Sequence, residues 1–498
     1  MTTNFRSVER ITCGVCAVIA LVLSGAALAA PHRDEAVYRA VEAERAGALD
    51  LLKSIVDIDS GTGDVAGGRR VEEILEAQLK ASGAEVHYEP AEAANFPPNL
   101  VAEFHGNGTA KILIIAHIDT VFGPGTVAKR PFRIEGDRAL GPGVGDEKGG
   151  VINAVAALKI LHDLGLKDYA TITLLLDDSE ELGSPGSTLL IKTLAKQNDV
   201  EFNMEPGDPP DALTVWRKGA GDISIQVKGR SAHAGMVPQN GRNAAAELVH
   251  QLAGLEGKFP HTGDGTTVNL TVIKAGSRNN IIPDLAEATL DVRFRKLEDF
   301  DAILAKIKSG VLPPIVPDTT ITVATEGSAY PPLTENPQID ALGARAQAIY
   351  GELGKTIALS GNGGASESAV VMSVGTPALD GLGFVGGGFH TDHESIDLRS
   401  VTPRMYLFTR LLMETSRSRP EKSPVRSKNI RRRRGGARAE RCTRRRRRRS
   451  LACQPYVAVV AVAKAQGGQV GRVDLFDRIV DCGVDAVRHG FPHPGIVA

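Results

Sequence analysis

The sequence predicts an α/β protein, built on a mainly parallel sheet with a second, split βαβ unit (order βαββαβ) inserted into it. Three observations predict this. Short, wholly apolar runs such as Lys111–His117 (KILIIAH) and Thr171–Asp177 (TITLLLD) alternate with helical patterns, as expected of strands buried on both faces. The pattern then changes at 222–228, which alternates with Ile223, Ile225 and Val227 on one face, and opens a run in the order βαββαβ. Beyond 329 the helical pattern returns.

In order, Leu51, Leu52, Ile55 and Val56 mark a first amphipathic helix, and 69–82 a second. Lys111–His117 is a buried strand, 149–164 a helix, Thr171–Asp177 a strand and 200–204 a third strand candidate. The alternating segment at 222–228 opens the inserted unit. A helix at 242–255, strands at 267–274 and 287–295, a helix at 298–308 and a strand at 319–324 complete it. Helices at 337–353 and 402–415 close the body. The expected divisions are a signal segment at 1–29, a first catalytic part at 31–218, the insert at 219–328, a second catalytic part at 329–416 and a tail at 417–498.

Composition narrows the class. The chain has 498 residues, room for two or three domains. Its net charge of -1 hides a segregation. Residues 417–498 carry 21 Lys/Arg against 6 Asp/Glu, leaving about -16 on the rest. An acidic body disfavours nucleic acid and anionic membrane as partners. The arginine blocks at 431–434 and 444–449 read as a disordered or non-native extension rather than a binding arm. Arg6 and Arg10, an apolar run at 11–29 and Ala27-Leu28-Ala29 read as a secretory signal, with an uncleaved anchor as the alternative. A periplasmic or secreted protein, free of the membrane after cleavage, is expected. Cys13, Cys16, Cys442, Cys453 and Cys482 all lie outside the body. A metal site in the body must therefore use His and carboxylate ligands.

Three such segments follow the three apolar strands. His117-Ile118-Asp119 ends the first, Asp177-Asp178-Ser179-Glu180-Glu181 the second and Glu205-Pro206 the third. Ligands collect at the carboxyl ends of strands in open α/β sheets, so these groups should converge. Converging carboxylates repel and call for a cation. A glycine-rich loop at 141–150 (GPGVGDEKGG) carries Asp146, and 386–394 (GGGFHTDHE) offers His390 and His393.

These stretches, with GTGD at 61–64, AHIDTVF at 116–122, KRPFRIEGD at 129–137 and NNIIP at 279–283, resemble the co-catalytic two-zinc peptidase and amidohydrolase family. Within it they are similar to the branch of bacterial glutamate carboxypeptidase. The resemblance spans about residues 50–415. It implies a zinc-peptidase catalytic domain with a ferredoxin-like dimerisation domain, a homodimer, and two Zn²⁺ per subunit, with cobalt or manganese as alternatives. His117 and Glu205 would hold one ion and Glu181 and His390 the other, with Asp146 between them. Asp119 would orient His117, and Glu180 would serve as general base toward an attacking water. His233, in Ser231-Ala232-His233-Ala234-Gly235, would reach the partner's site and steady the oxyanion. Asn280 and Arg293 would hold the substrate carboxylate. The implied activity is carboxypeptidase-like hydrolysis of a peptide or N-acyl amino acid. The alternatives are an N-acyl amino acid deacylase or dipeptidase of the same family, or an inactive metal-dependent binding protein.

Three positions depart from the pattern. Ser179 and Glu367 replace family aspartates, and 325–330 (TEGSAY) lacks the arginine of glutamate-specific members. Strict preference for a C-terminal glutamate is therefore not expected. Of the two histidines in 386–394, His390 is the expected ligand, from the match at Gly388-Phe389-His390.

Overall fold

The computed structural model describes residues 32–417, except 256 and 260–264. The expected signal segment at 1–29, and all of the tail beyond Arg417, lie outside the described residues. Helix α1 (Glu35–Val56) is capped by Asp34, whose carboxylate accepts the amides of Ala36 and Val37. Helix α2 (Val65–Ala81) starts before the expected residue 69. Its first turns contain Gly67 and Gly68, weak helix formers that conceal the start. Close packing demands them: a Cβ on Gly67 would lie 2.0 Å from the Asp59 carbonyl oxygen.

The main sheet contains β1 (Glu85–Glu89), β2 (Asn99–His105), β3 (Lys111–His117), β4 (Thr171–Asp177), β5 (Val200–Asn203) and a short strand of two residues, Ala378 and Leu379. The order is β1-β2-β4-β3-β5, with the short strand outermost beside β5. Strand β3 pairs parallel with both β4 and β5, and the short strand pairs parallel with β5. Strands β1 and β2 add an antiparallel edge. Every β3 residue after Lys111 is buried, so both faces of that strand are covered. Helix α3 (Lys148–Asp163), buried along most of its length, and helix α4 (Thr188–Gln197) both pack on β3. The sheet is thus mainly parallel where the sequence reading required it. Edge strand β1 (EVHYE) is polar, and β2 (NLVAEFH) carries only a short apolar stretch, Leu100–Ala102, cut by Glu103 before Phe104.

Strand β6 (Ala212–Arg217) leads into a second sheet of β7 (Gly219–Lys228), β8 (Thr267–Ala275), β9 (Leu285–Phe294) and β10 (Thr320–Tyr330). Helix α5 (Ala244–Leu255) follows β7, and helix α6 (Leu297–Ser309) follows β9. The order β8-β9-β7-β10 is antiparallel throughout. Ile223, Ile225, Val227, Leu290, Val292 and Phe294 form its own core with α5 and α6. Strand β10 runs past the expected residue 324, because the register shifts between Glu326 and Tyr330. Gly327 sits there at φ +71°, so a stretch with turn chemistry still continues the strand. The chain then returns to the first core with α7 (Pro337–Gly351), β11 (Ala358–Asn362), α8 (Glu367–Ser373) and α9 (Val401–Arg417). Strand β11 pairs parallel with β6, bringing Asn362 opposite Arg217.

Candidate metal centre

The strand ends do converge. His117 closes β3, fully buried, and its two ring nitrogens face different carboxylates. Nδ1 lies 3.1 Å from the Asp119 carbonyl and 3.2 Å from its Oδ1. Nε2 lies 3.2 Å from Asp146 Oδ1 and 3.7 Å from Glu205 Oε1. The other oxygen of Asp146, Oδ2, lies 3.3 Å from His390 Nε2, which is also 3.1 Å from Glu181 Oε2. Asp146 therefore stands between two groups, one around His117 and Glu205 and one around Glu181 and His390. Glu180 Oε2 is 4.0 Å from His117 Nε2. His390 is the histidine brought here; His393 is exposed and joins neither group.

Asp119 has a wider role than orienting His117. Its carboxylate accepts the Glu180 amide (3.2 Å), the Glu181 amide (3.3 Å) and the Thr62 hydroxyl (2.7 Å). One buried acid thus fixes both the imidazole and the turn bearing the two glutamates. The glycine loop is pinned from below by Glu394, which accepts the amides of Gly143, Gly145 and Asp146 at 2.9–3.1 Å. Gly150 lets α3 start close to the end of β5: a Cβ there would lie 1.9 Å from the Met204 carbonyl oxygen.

The electrostatics call for cations. Burial, and next the neighbouring Glu367, push the Glu180 carboxyl well above its usual range. Burial does the same to Glu205 against the pull of Arg217, and to Glu147 against the pull of His117. Burial opposes a charged His117, but its bonds to Asp119 and Asp146 outweigh this and hold its pKa well above normal. The bonds to Asp146 and Glu181 raise His390 to about 10. The side-chain oxygens Glu147 Oε1, Glu181 Oε1 and Glu367 Oε1 are buried without a hydrogen-bond partner. Unpartnered carboxylate oxygens around two imidazoles form an all-oxygen and nitrogen donor set that fits divalent metal.

The family model described as peptidase family M20/M25/M40 matches residues 113–414. Carboxypeptidase G2 of Pseudomonas sp. is 33% identical over 407 residues, covering 80% of this chain and 97% of that protein. The chain belongs to this peptidase family. It is accordingly a metallopeptidase-family hydrolase of carboxypeptidase or dipeptidase type. A tripeptidase from Staphylococcus aureus superposes with a TM-score of 0.62 at 20% identity, covering 75% of this chain and 99% of that one. A dinuclear metal-binding peptidase from Bacillus subtilis superposes with a TM-score of 0.54 at 15% identity, covering 76% and 99%. Both share the fold.

In this M20-family peptidase the metal groups open into a cavity of about 660 Å³. The second sheet contributes Asp222, Asp291 and Arg293 to its wall. Arg293 pairs with Asp291 through Nε and Nη2, each 2.9 Å from Oδ2. His233 and Asn280 do not line this cavity. They lie together elsewhere, where Ala232–His233 pairs with Ile281–Ile282 and the Asn280 carbonyl accepts the Ala234 amide at 2.9 Å. His233 is exposed, and its Nδ1 accepts the amides of Gly235 and Met236. In the neutral ring this leaves the proton on Nε2, as an outward donor.

Several residues around the site escaped the sequence reading. Glu147 accepts the His117 amide at 2.8 Å. Glu367, noted only as a departure, lies with Glu180 and Glu205 and accepts from Asn203 at 3.0 Å. Arg217 bonds to Glu205. Glu147 and Glu394 sit beside quoted motif residues, so adjacency was a usable signal for them. Arg217, on a separate strand, offered none.

Proposed function

We propose that the protein is an exported zinc carboxypeptidase-like enzyme that hydrolyses the amide bond of a peptide or N-acyl amino acid. The observation that carries this reading is Asp146, with one carboxylate oxygen toward His117 and the other toward His390, beside Glu180. His117, Glu205 and Asp146 would hold one zinc ion; Asp146, Glu181 and His390 would hold the other. Bound zinc supplies Lewis acidity, which acidifies a water and polarises an amide carbonyl. Glu180, on the cavity wall, takes the proton from the attacking water and returns it to the departing amine. Asp119 keeps His117 in one orientation and holds the 180–181 turn in place.

Arg293 is the cavity arginine available for a substrate carboxylate, and Asp291 holds its guanidinium in position. In this reading His233 and Asn280 act from the partner subunit of a homodimer, with the His233 Nε2–H directed at the oxyanion. Asp208, Asp222 and Asp291 in the wall, and the absence of arginine from 325–330, favour a specificity broader than C-terminal glutamate. N-acyl amino acids and dipeptides are the substrates to set against folate-type conjugates. Glu180→Gln should lower kcat by about 10²–10⁴-fold while zinc content stays at that of the wild type. Undiminished turnover in that variant removes Glu180 from its role.

A further inference from the structure

Arg217 ends β6 with a side chain only 4% exposed. Its Nη2 donates to Glu205 Oε2 at 3.2 Å, while Glu205 Oε1 is the oxygen that faces His117. The same guanidinium forks onto Asp380, with Nε to Oδ2 at 2.6 Å and Nη2 to Oδ1 at 3.0 Å. Asp380 is fully buried and also accepts the Ser366 hydroxyl at 2.5 Å. The third nitrogen, Nη1, donates to Asn362 Oδ1 at 3.3 Å, and Asn362 Nδ2 donates to Asp208 on the cavity wall. All three guanidinium nitrogens are thus committed. The Glu205 backbone is fixed separately, its amide donating to Asn203 Oδ1 at 3.0 Å.

We infer that Arg217 is a positioning residue for the metal centre: anchored by Asp380, it ties down one oxygen of Glu205 so that only the other is presented beside His117 and Asp146. This rests on the two-ion reading above. A carboxylate with both oxygens free can rotate or chelate with both. With Oε2 held by a charged, bidentate-anchored donor, Glu205 can offer a single oxygen in one direction. The positive charge also draws density from Glu205 and weakens it as a donor, which leaves a bound ion a stronger Lewis acid. Lysine would retain the charge but lose the planar fork that reaches Asp380, Asn362 and Glu205 together.

The test is a zinc titration against a competing chelator, with kcat and KM on an N-acyl amino acid or dipeptide, using the full chain. Arg217→Met should weaken one of the two zinc ions by about 10–100-fold and leave the other near its wild-type affinity. kcat should fall with KM nearly unchanged, and Arg217→Lys should recover part of both losses. Arg217→Met leaves Asp380 buried without its partner, which can unfold the chain. The double variant Arg217→Met/Asp380→Leu removes both charges and should show the same selective zinc defect in a folded protein. Wild-type affinity for both ions in a folded Arg217 variant overturns the inference. Equal weakening of both ions, together with a lowered melting temperature in every variant, overturns it in favour of a purely structural role. Wild-type protein that takes up no zinc overturns the two-ion reading itself, a result distinct from a defect confined to the Arg217 variants.

Discussion

At the scale of single residues, the site is held by a few buried acids that each serve two neighbours. Asp119 joins the His117 ring to the amides of Glu180 and Glu181. Asp119→Ala should therefore lower metal affinity by about 10–100-fold and depress kcat as well, because the turn carrying Glu180, the proposed base, loses its anchor. Zinc competition and steady-state kinetics read the two effects separately. A variant with weakened metal binding but intact kcat at saturating zinc would show that Asp119 serves the imidazole alone. Much of this site was legible in the sequence, since His117, Glu180, Glu181 and Glu205 end consecutive apolar strands. Asp146 and His390 were legible only through the family resemblance, because neither lies at the end of a main-sheet strand. Arg217 was not legible at all. Its function depends on a contact across the fold, and no local pattern records such contacts.

At the scale of elements, the close approach of α3 to the end of β5 is a tight constraint on the centre. Gly150→Ala would place a methyl group 1.9 Å from the Met204 carbonyl oxygen, next to Glu205. The expected cost is about 1–3 kcal/mol, measured by urea unfolding, with a larger fractional loss of metal affinity than of stability. Helix α2 carries a second test. Glu72 is buried there beside Arg69, with Oε1 unpartnered. Burial raises its carboxyl from 4.5 to about 7 against the pull of Arg69. Between those values the folded chain retains a proton that the unfolded chain has released, so stability falls as pH rises through the window. Glu72→Gln should flatten that fall, whose slope is at most about 1.4 kcal/mol per pH unit. An unchanged stability profile between pH 4.5 and 7 would show that Glu72 is not so perturbed. Element boundaries were read least well where glycine obscures the pattern. Examples are the start of α2 at Gly67-Gly68 and the continuation of β10 through Gly327. In both places tertiary packing overrides a local preference.

At the scale of the whole molecule, two cores divide the work. The part of the chain built around β3, β4 and α3 carries the metal groups, and the part built around β7–β10 carries His233, Asn280 and Arg293. Only Arg293 of these three lines the cavity of its own chain. If His233 acts across a dimer, mixing inactive Glu180→Gln protein with inactive His233→Ala protein should restore hydrolysis, since each mixed dimer contains one complete site. Mixtures that stay inactive after subunit exchange would show that His233 does not act across a dimer. The succession of strands and helices in the second unit was legible from the alternation at 222–228 and the order βαββαβ that follows it. That His233 would act across a dimer came only from the family resemblance, because the strand pattern does not record the surface a chain meets. The central claim, that Asp146 stands between two zinc ions, is tested most directly by crystallography of the zinc-loaded protein with anomalous scattering recorded at the zinc edge. The expected result is two peaks about 3.5–4 Å apart, one beside His117 and Glu205 and one beside Glu181 and His390, with the Asp146 carboxylate between them. A single peak, or peaks away from Asp146, would contradict it.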